Sequence, residues 1–461
     1  MKNMKRKLLA LAALLCLAAP ASVLEAAPIP LRGIVEGFYG TPWSQGNRLD
    51  MLSFLHQEGM NAYIYAPKDD PYHRDKWREP YPKARMQELG ALIAEARRQQ
   101  VKFIFALSPG LDLHFSGFAG IRDRVIMKKK LEAMYDLGVR DFAIFFDDIQ
   151  QKDGKGQAEL LNWLENNFRK QHPDITPLIT VPTEYHFEDM EDKSGIKTYT
   201  REFSTTLNKD ILVLYTGNRV VPDGLTDEDY EKANKLYGRK LGLWWNYPVS
   251  DYMEAKLALG PMEKLPVREI LPAIFFNPMK HEELSKISLA TGAEYAQNPG
   301  SYNAEEAWRK ALRETCGSLA GDMEKFAEHS QHMENSWAKI GPADGTRLKE
   351  LADAYWQERK QGKAPSGQEL DRELKSLIAS LDRLLASLPR NLLAESRPQI
   401  EQLRRIAIAD RLGLELLAGR GNRKDFEAAL KEVKAHDKKA IVSEESARKL
   451  LTDIEKGVSA E

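Results

Sequence analysis

Phe142-Ala143-Ile144-Phe145-Phe146-Asp147-Asp148 decides the reading of this chain: five apolar residues end abruptly in two acids. The run has no polar alternation. That pattern suits a strand covered on both faces, as in a parallel sheet. Working outward, seven comparable runs flank it, at 33–39, 62–66, 103–107, 178–181, 211–215, 241–245 and 270–276. Helical segments separate several of them. Residues 48–59 place Leu52, Leu55 and His56 on one side and end at Gly59. Residues 83–100 carry Leu89, Leu92, Ile93 and Ala96 at helical spacing, and 122–138 again end at a Gly. Eight strand–helix units within residues 28–300 predict a (β/α)8 barrel, whose usual size is ~250 residues. A doubly wound sheet is the competing α/β fold. It would bring fewer strands and a Gly-rich phosphate loop, and the chain shows no such loop.

After Pro299 strand-like runs stop. Residues 301–461 predict an all-α bundle domain. Leu374, Leu377, Leu381, Leu384 and Leu388 mark one apolar face; Ile400, Leu403, Ile406, Ala407 and Leu412 mark another. Breaks fall at 341–345, 362–367, Pro389 and 419–421. At the other end, Lys2, Lys5, Arg6 and Lys7 precede an apolar run and small residues up to Ala27, which predicts a signal peptide over 1–27 cleaved near Ala26 or Ala27. The expected location is secreted or periplasmic, without a stable membrane anchor. Sixty-seven basic residues face sixty-eight acidic ones among 461, so no global field draws the chain to nucleic acid. Once the signal has been removed, Cys316 is the remaining cysteine, which excludes an internal disulfide.

In a (β/α)8 barrel the site lies at the C-terminal ends of the strands. Those ends carry Glu36-Gly37-Phe38-Tyr39-Gly40, Pro67-Lys68-Asp69-Asp70, Ser108-Pro109-Gly110, Asp147-Asp148, Thr183-Glu184-Tyr185, Thr216-Gly217-Asn218, Trp244-Trp245-Asn246 with Asp251 close behind, and Asn277. Polar, aromatic and Gly residues gathered on one face fit a polyhydroxy ligand. Two like charges side by side repel, so one Asp is expected to have a raised pKa and to act as a proton donor. The blander alternative is a strand-end pair that caps a helix or binds a metal. Adjacency also restricts mechanism. A glycosidase that supplies its own nucleophile needs carboxyls ~5–5.5 Å apart flanking the bond, and an inverting one ~6.5–9.5 Å. Neighbours on one strand end do not flank a sugar easily. They can hold two parts of one substrate, a leaving oxygen and the acetamide of a 2-acetamido sugar that serves as nucleophile.

Longer stretches carry a resemblance. Arg32-Gly33-Ile34-Val35-Glu36-Gly37-Phe38-Tyr39-Gly40-Thr41-Pro42-Trp43, Tyr63-Ile64-Tyr65-Ala66-Pro67-Lys68-Asp69-Asp70-Pro71-Tyr72-His73, Phe146-Asp147-Asp148-Ile149, Val181-Pro182-Thr183-Glu184-Tyr185 and Trp244-Trp245-Asn246-Tyr247-Pro248-Val249-Ser250-Asp251 together resemble the family 84 glycoside hydrolases, the β-N-acetylglucosaminidases that include O-GlcNAcases. The resemblance implies that Asp147 orients the substrate acetamido N–H and that Asp148 is general acid and then base. It implies that Tyr185 bonds near the anomeric centre or acetamido oxygen, while the Gly37 carbonyl and Lys68 meet sugar hydroxyls. Asn246 and Asp251 would hold the acetamido group and the O4 and O6 hydroxyls, and Asn277 a further hydroxyl. Trp244 would wall the acetamide pocket, with Val181 and Thr216 nearby.

The implied activity is a retaining exo-β-N-acetylglucosaminidase with no metal or other cofactor, acting on β-GlcNAc-bearing glycans or glycoproteins. Two other classes compete: a metal-dependent hydrolase using Asp69, Asp70, His73, Asp147 and Asp148, and a catalytically silent sugar-binding protein. The natural glycan and the oligomeric state stay open.

Overall fold

A computed structural model of the protein describes residues 27–268 and 271–460, so all but the last residue of the predicted signal peptide lies outside the described residues. Eight parallel strands close into a barrel: β1 (Leu31–Glu36), β2 (Ala62–Tyr65), β3 (Lys102–Leu107), β4 (Asp141–Phe145), β5 (Ile179–Val181), β6 (Leu212–Tyr215), β7 (Gly242–Trp245) and β8 (Ala273–Phe276). Each pairs with its neighbour in sequence, and β1 pairs with β8 from Leu31↔Ala273 to Ile34↔Phe276. This is the fold class the apolar runs predict.

Alternation along each strand explains why those runs lack polar residues. One set, including Val35, Ile64, Ile104, Ala106, Phe145, Val181 and Trp244, fills the barrel interior. The other set, including Ile34, Tyr63, Phe105, Ile144, Tyr215 and Trp245, packs outward into the core beneath the helices. Gly33 is required by closeness of the chain, because a Cβ there would lie 1.7 Å from the Ala62 carbonyl oxygen of β2.

The surrounding helices are α1 (Gln45–Gln57), α2 (Lys83–Arg98), α3 (Gly117–Leu137), α4 (Gly154–Asn167), α5 (Thr198–Thr206), α6 (Asp227–Tyr237) and α7 (Glu282–Gln297). Ser44 starts α1 in a reciprocal capping box with Asn47, and Gly138 ends α3 at φ 116°. One predicted unit differs. Between β7 and β8 the described residues form no α-helix, only a 3-10 turn at Asp251–Met253 and an irregular passage. Gly260, Pro261 and Pro266 disfavour a helix there. The passage is tied instead to the C-terminal region, through Leu259 N–H to Ser330 O, Trp308 Nε1 to Leu259 O and Ile441 N–H to Ala255 O.

That region contains α8 (Ala304–Cys316), α9 (Ala320–Ala327), α10 (Thr346–Lys360), α11 (Gln368–Ser387), α12 (Arg390–Leu417), α13 (Arg423–His436) and α14 (Ala447–Ala460). Leu374, Leu377, Leu381 and Leu384 are buried, as are Ile400, Leu403, Ile406 and Ala407. Leu412 is half-buried, and Leu414 takes the core position beside it. The region is not helical throughout. A two-stranded antiparallel ribbon, Met333–Glu334 with Lys339–Ile340, interrupts it between α9 and α10. No helix among the described residues is long and apolar enough to cross a membrane.

Candidate active site

A pocket of about 480 Å³ opens at the C-terminal ends of the strands. All eleven residues selected from the sequence line it: Gly37, Lys68, Asp147, Asp148, Val181, Tyr185, Thr216, Trp244, Asn246, Asp251 and Asn277.

β4 delivers the two carboxylates. Successive strand residues normally point to opposite faces. Asp148 escapes this rule with a left-handed backbone, φ 56°, a conformation that Asp tolerates better than most residues. The chain turns at that residue, and both carboxylates reach the same pocket. Asp147 is 6% exposed, while Asp148 opens toward solvent.

Their surroundings differ. Asp147 Oδ2 pairs with the buried Lys68 ammonium, and Asp147 Oδ1 has no hydrogen-bond partner among the described residues. Asp148 accepts the Tyr39 hydroxyl on Oδ2 at 2.7 Å and the Tyr185 hydroxyl on Oδ1 at 2.8 Å. Arg74 donates to the Tyr39 hydroxyl at 2.9 Å and to the Asp148 carbonyl at 3.2 Å. For Asp148 these contacts act against a raised pKa. Burial alone would push Asp148 up, but the Lys68 charge, the two tyrosine hydroxyls and Arg74 outweigh it and hold Asp148 below its usual range. Asp251 shows the opposite balance. Burial raises it, against the Tyr39 and Tyr252 backbone N–H groups that its carboxylate accepts.

The floor is a polar relay under an aromatic wall. Trp244 meets Phe145 edge to face, with centroids 5.5 Å apart. Its Nε1 donates to Asn246 Oδ1 at 2.8 Å, and Asn277 Nδ2 donates to the same oxygen at 3.0 Å. Asn246 Nδ2 donates to the Val220 carbonyl, and Gly37 N–H points at Asn277 Oδ1 at 3.3 Å. Asn246 therefore keeps one N–H for a ligand. Gly37 is set by space, because a Cβ would lie 2.5 Å from Trp244 Cζ2. Thr216 Oγ1 is engaged by the Arg219 carbonyl. The Lys68 ammonium lines the pocket and pairs with Asp147, with the Tyr39 and Trp244 rings 5.8 and 5.9 Å away.

Other strand-end polar groups serve the scaffold. Glu36 is buried under a bidentate Arg48 pair and the Tyr63 hydroxyl. Asp70 accepts from Tyr65, Tyr81 and Tyr72, and His73 Nδ1 meets the Ala106 carbonyl at 2.9 Å. Glu184 pairs with Lys152 and Thr200. The Asp69, Asp70, His73, Asp147, Asp148 set is thus divided between loop and pocket rather than converged on one centre. Several lining residues carried no role in the sequence reading: Tyr39, Val220, Val221, Val249, Tyr252 and Trp337. Tyr39 stands in the first strand-end motif. Trp337 had no local signal; it arrives from the ribbon between α9 and α10.

A closed (β/α)8 barrel with two convergent carboxylates in a pocket sized for a sugar defines a barrel glycoside hydrolase. The family profile for beta-N-acetylglucosaminidases matches residues 32–328, and a profile for hyaluronidase post-catalytic domain-like regions matches residues 347–451. The chain belongs to this beta-N-acetylglucosaminidase family, family 84 of the glycoside hydrolases. Rat (Rattus norvegicus) and mouse (Mus musculus) Protein O-GlcNAcase are each 32% identical to it over 270 residues. That match covers 57% of this chain and 29% of the length of those relatives. The solved structure of CpGH84B superposes with a TM-score of 0.86 at 38% identity, over 93% of this chain and 77% of that one. A mutant of the Thermobaculum terrenum O-GlcNAc hydrolase gives 0.80 at 28% identity, over 92% and 94%.

Proposed function

We propose that the chain is a retaining exo-β-N-acetylglucosaminidase that removes terminal β-linked GlcNAc from glycans or glycoproteins, with the substrate's own acetamide as nucleophile. One observation carries this reading: Asp147 lines the pocket with one carboxylate oxygen anchored by Lys68 and the other buried without a hydrogen-bond partner among the described residues. An uncompensated buried carboxylate oxygen is costly, and an acetamido N–H would satisfy it.

In the first step the acetamido carbonyl oxygen attacks C1. Asp147 accepts the N–H and stabilises the positive charge that develops on the amide. The C1–O bond to the leaving group breaks, and Asp148 gives that oxygen its proton. In the second step the Asp148 carboxylate takes a proton from water, water oxygen attacks C1 from the opposite face, and the oxazoline opens. Two inversions retain the β configuration. Tyr185 and Tyr39, already bonded to Asp148, position it for both transfers.

Asp147→Asn is expected to lower kcat by about 10²–10³ on substrates with good and poor leaving groups alike. Asp148→Asn is expected to lower it by about 10²–10⁴ on poor leaving groups and far less on good ones. Equal losses for Asp148→Asn on both substrate types would remove its role as acid. Turnover by the EDTA-treated wild-type protein separates this reading from a metal-dependent hydrolase. The N-terminal basic and apolar pattern supports export, which fractionation of cells expressing the full chain tests.

A further inference from the structure

Outside the pocket, one cluster of side chains has the chemistry of a cation site. His332 is 7% exposed and stands directly before the ribbon strand Met333–Glu334. Glu334 follows on that strand, and Glu445 lies just before α14. One donor atom from each residue lies within 4.8 Å of the other two.

The hydrogen bonds of His332 make the cluster more than a meeting of acids. Its Nδ1 is 3.0 Å from the Gly341 carbonyl, which can only accept, so Nδ1 carries the hydrogen. Its Nε2 is 2.9 Å from Glu334 Oε2. In the neutral ring Nε2 is then a lone pair facing a carboxylate lone pair. A second proton on the ring satisfies that contact as a His–Glu ion pair, and a bound cation would satisfy it in the proton's place. A backbone carbonyl that fixes Nδ1–H and leaves the Nε2 lone pair facing a carboxylate is an arrangement that orients metal-ligating histidines. Glu445 adds a second carboxylate and makes no hydrogen bond or ion pair among the described residues. Two cations stand nearby: Lys339 Nζ is 3.3 Å from Glu334 Oε2 on a half-exposed side chain, and Lys349 feels the Glu445 charge. Lys339 offsets part of the Glu334 charge, and no cation makes an ion pair with Glu445 among the described residues.

We infer that His332, Glu334 and Glu445 bind one divalent transition-metal ion of the zinc class, separate from the catalytic pocket. One imidazole and two carboxylates suit Zn²⁺ or Co²⁺ better than Ca²⁺ or Mg²⁺, which take oxygen donors. The −2 charge of the two carboxylates balances the ion. Its place in the fold gives it a structural purpose. The ribbon carries Trp337 to the pocket mouth, where it packs against Tyr252 with centroids 5.0 Å apart. The ion clips the base of that ribbon to the segment that leads into α14, and so fixes the aromatic rim from outside.

The test uses the untagged, EDTA-stripped full chain, titrated with Zn²⁺ by calorimetry and with Co²⁺ by visible absorption. One equivalent per chain and cobalt d–d bands are expected. His332→Gln and Glu445→Gln should each weaken binding at least about tenfold, the scale seen even for outer partners of metal ligands. The wild-type Tm should rise with Zn²⁺ as ligand-bound folded protein accumulates, and the Glu445→Gln Tm should not. Glu445→Gln changes a side chain at the edge of the fold, so it remains informative if His332→Gln does not fold. A stripped chain that binds neither ion at about 100 µM overturns the inference. So does binding that Glu445→Gln leaves unchanged, because the ion would then sit elsewhere.

Discussion

At the scale of a residue, Asp148 is held from several sides. Its left-handed backbone turns it beside Asp147, and its oxygens are each taken by a tyrosine hydroxyl. These contacts favour the carboxylate, which is the form the second step of the proposed mechanism needs. Its first step needs the acid. A sugar in the pocket would shift that balance, because it excludes water and burial favours the protonated form. Tyr39→Phe tests the balance. It removes one donor to the ionised form, so the pKa of Asp148 rises. A general acid is active while protonated, so the alkaline limb of the kcat/KM profile should move to higher pH. A limb that stays in place or moves down contradicts this assignment. The pair itself was legible in the sequence, since five apolar residues running into two acids is a local pattern. The sign of the Asp148 shift was not, because it depends on Lys68, Arg74, Tyr39 and Tyr185, which come from other segments.

At the scale of an element, strand and helix identity followed from periodicity and caps, while the missing seventh helix followed from what packs there. The segment after β7 is committed to backbone bonds with the C-terminal region, and no local periodicity reports that. The same junction shows on α7. The Glu395 carboxylate on α12 accepts the N–H groups of Glu283 and Leu284, in the first turn of α7. It caps a barrel helix from the bundle. Glu395→Ala should lower Tm by about 1–2 °C at pH 5, in keeping with the loss of a cap. Burial pushes Glu395 up to about 7 in the folded chain. A carboxyl raised on folding stabilises most below its unfolded value and loses that contribution as pH rises through 7. The Tm difference between Glu395→Ala and the parent should therefore shrink between pH 5 and pH 8; a difference that grows would reverse the sign argued here.

At the scale of the whole molecule, the active-site wall is not a property of the barrel alone. Trp337, 47% exposed, reaches the pocket mouth from beyond α9, where its ring meets Tyr252. An exposed aromatic face at the pocket mouth is suited to stack on an aryl or sugar aglycone. Trp337→Ala is expected to raise KM for aryl β-GlcNAc substrates by about 2–10-fold, the range for one aromatic contact, with little change in kcat. A fall in kcat with KM unchanged would place Trp337 in the chemistry instead.

By itself the sequence determined the barrel and the bundle, because strand burial and helix periodicity are written in short contiguous runs, and its resemblance to family 84 picked out the eleven pocket residues. The tertiary structure alone decided three things. It turned Asp148 to the same side as Asp147, it set the field that favours the Asp148 carboxylate, and it brought Trp337 and the His332 cluster to their places. Each depends on a backbone angle, a field or a contact between distant segments. Those are set by the packing of the finished fold and leave no periodicity in the chain.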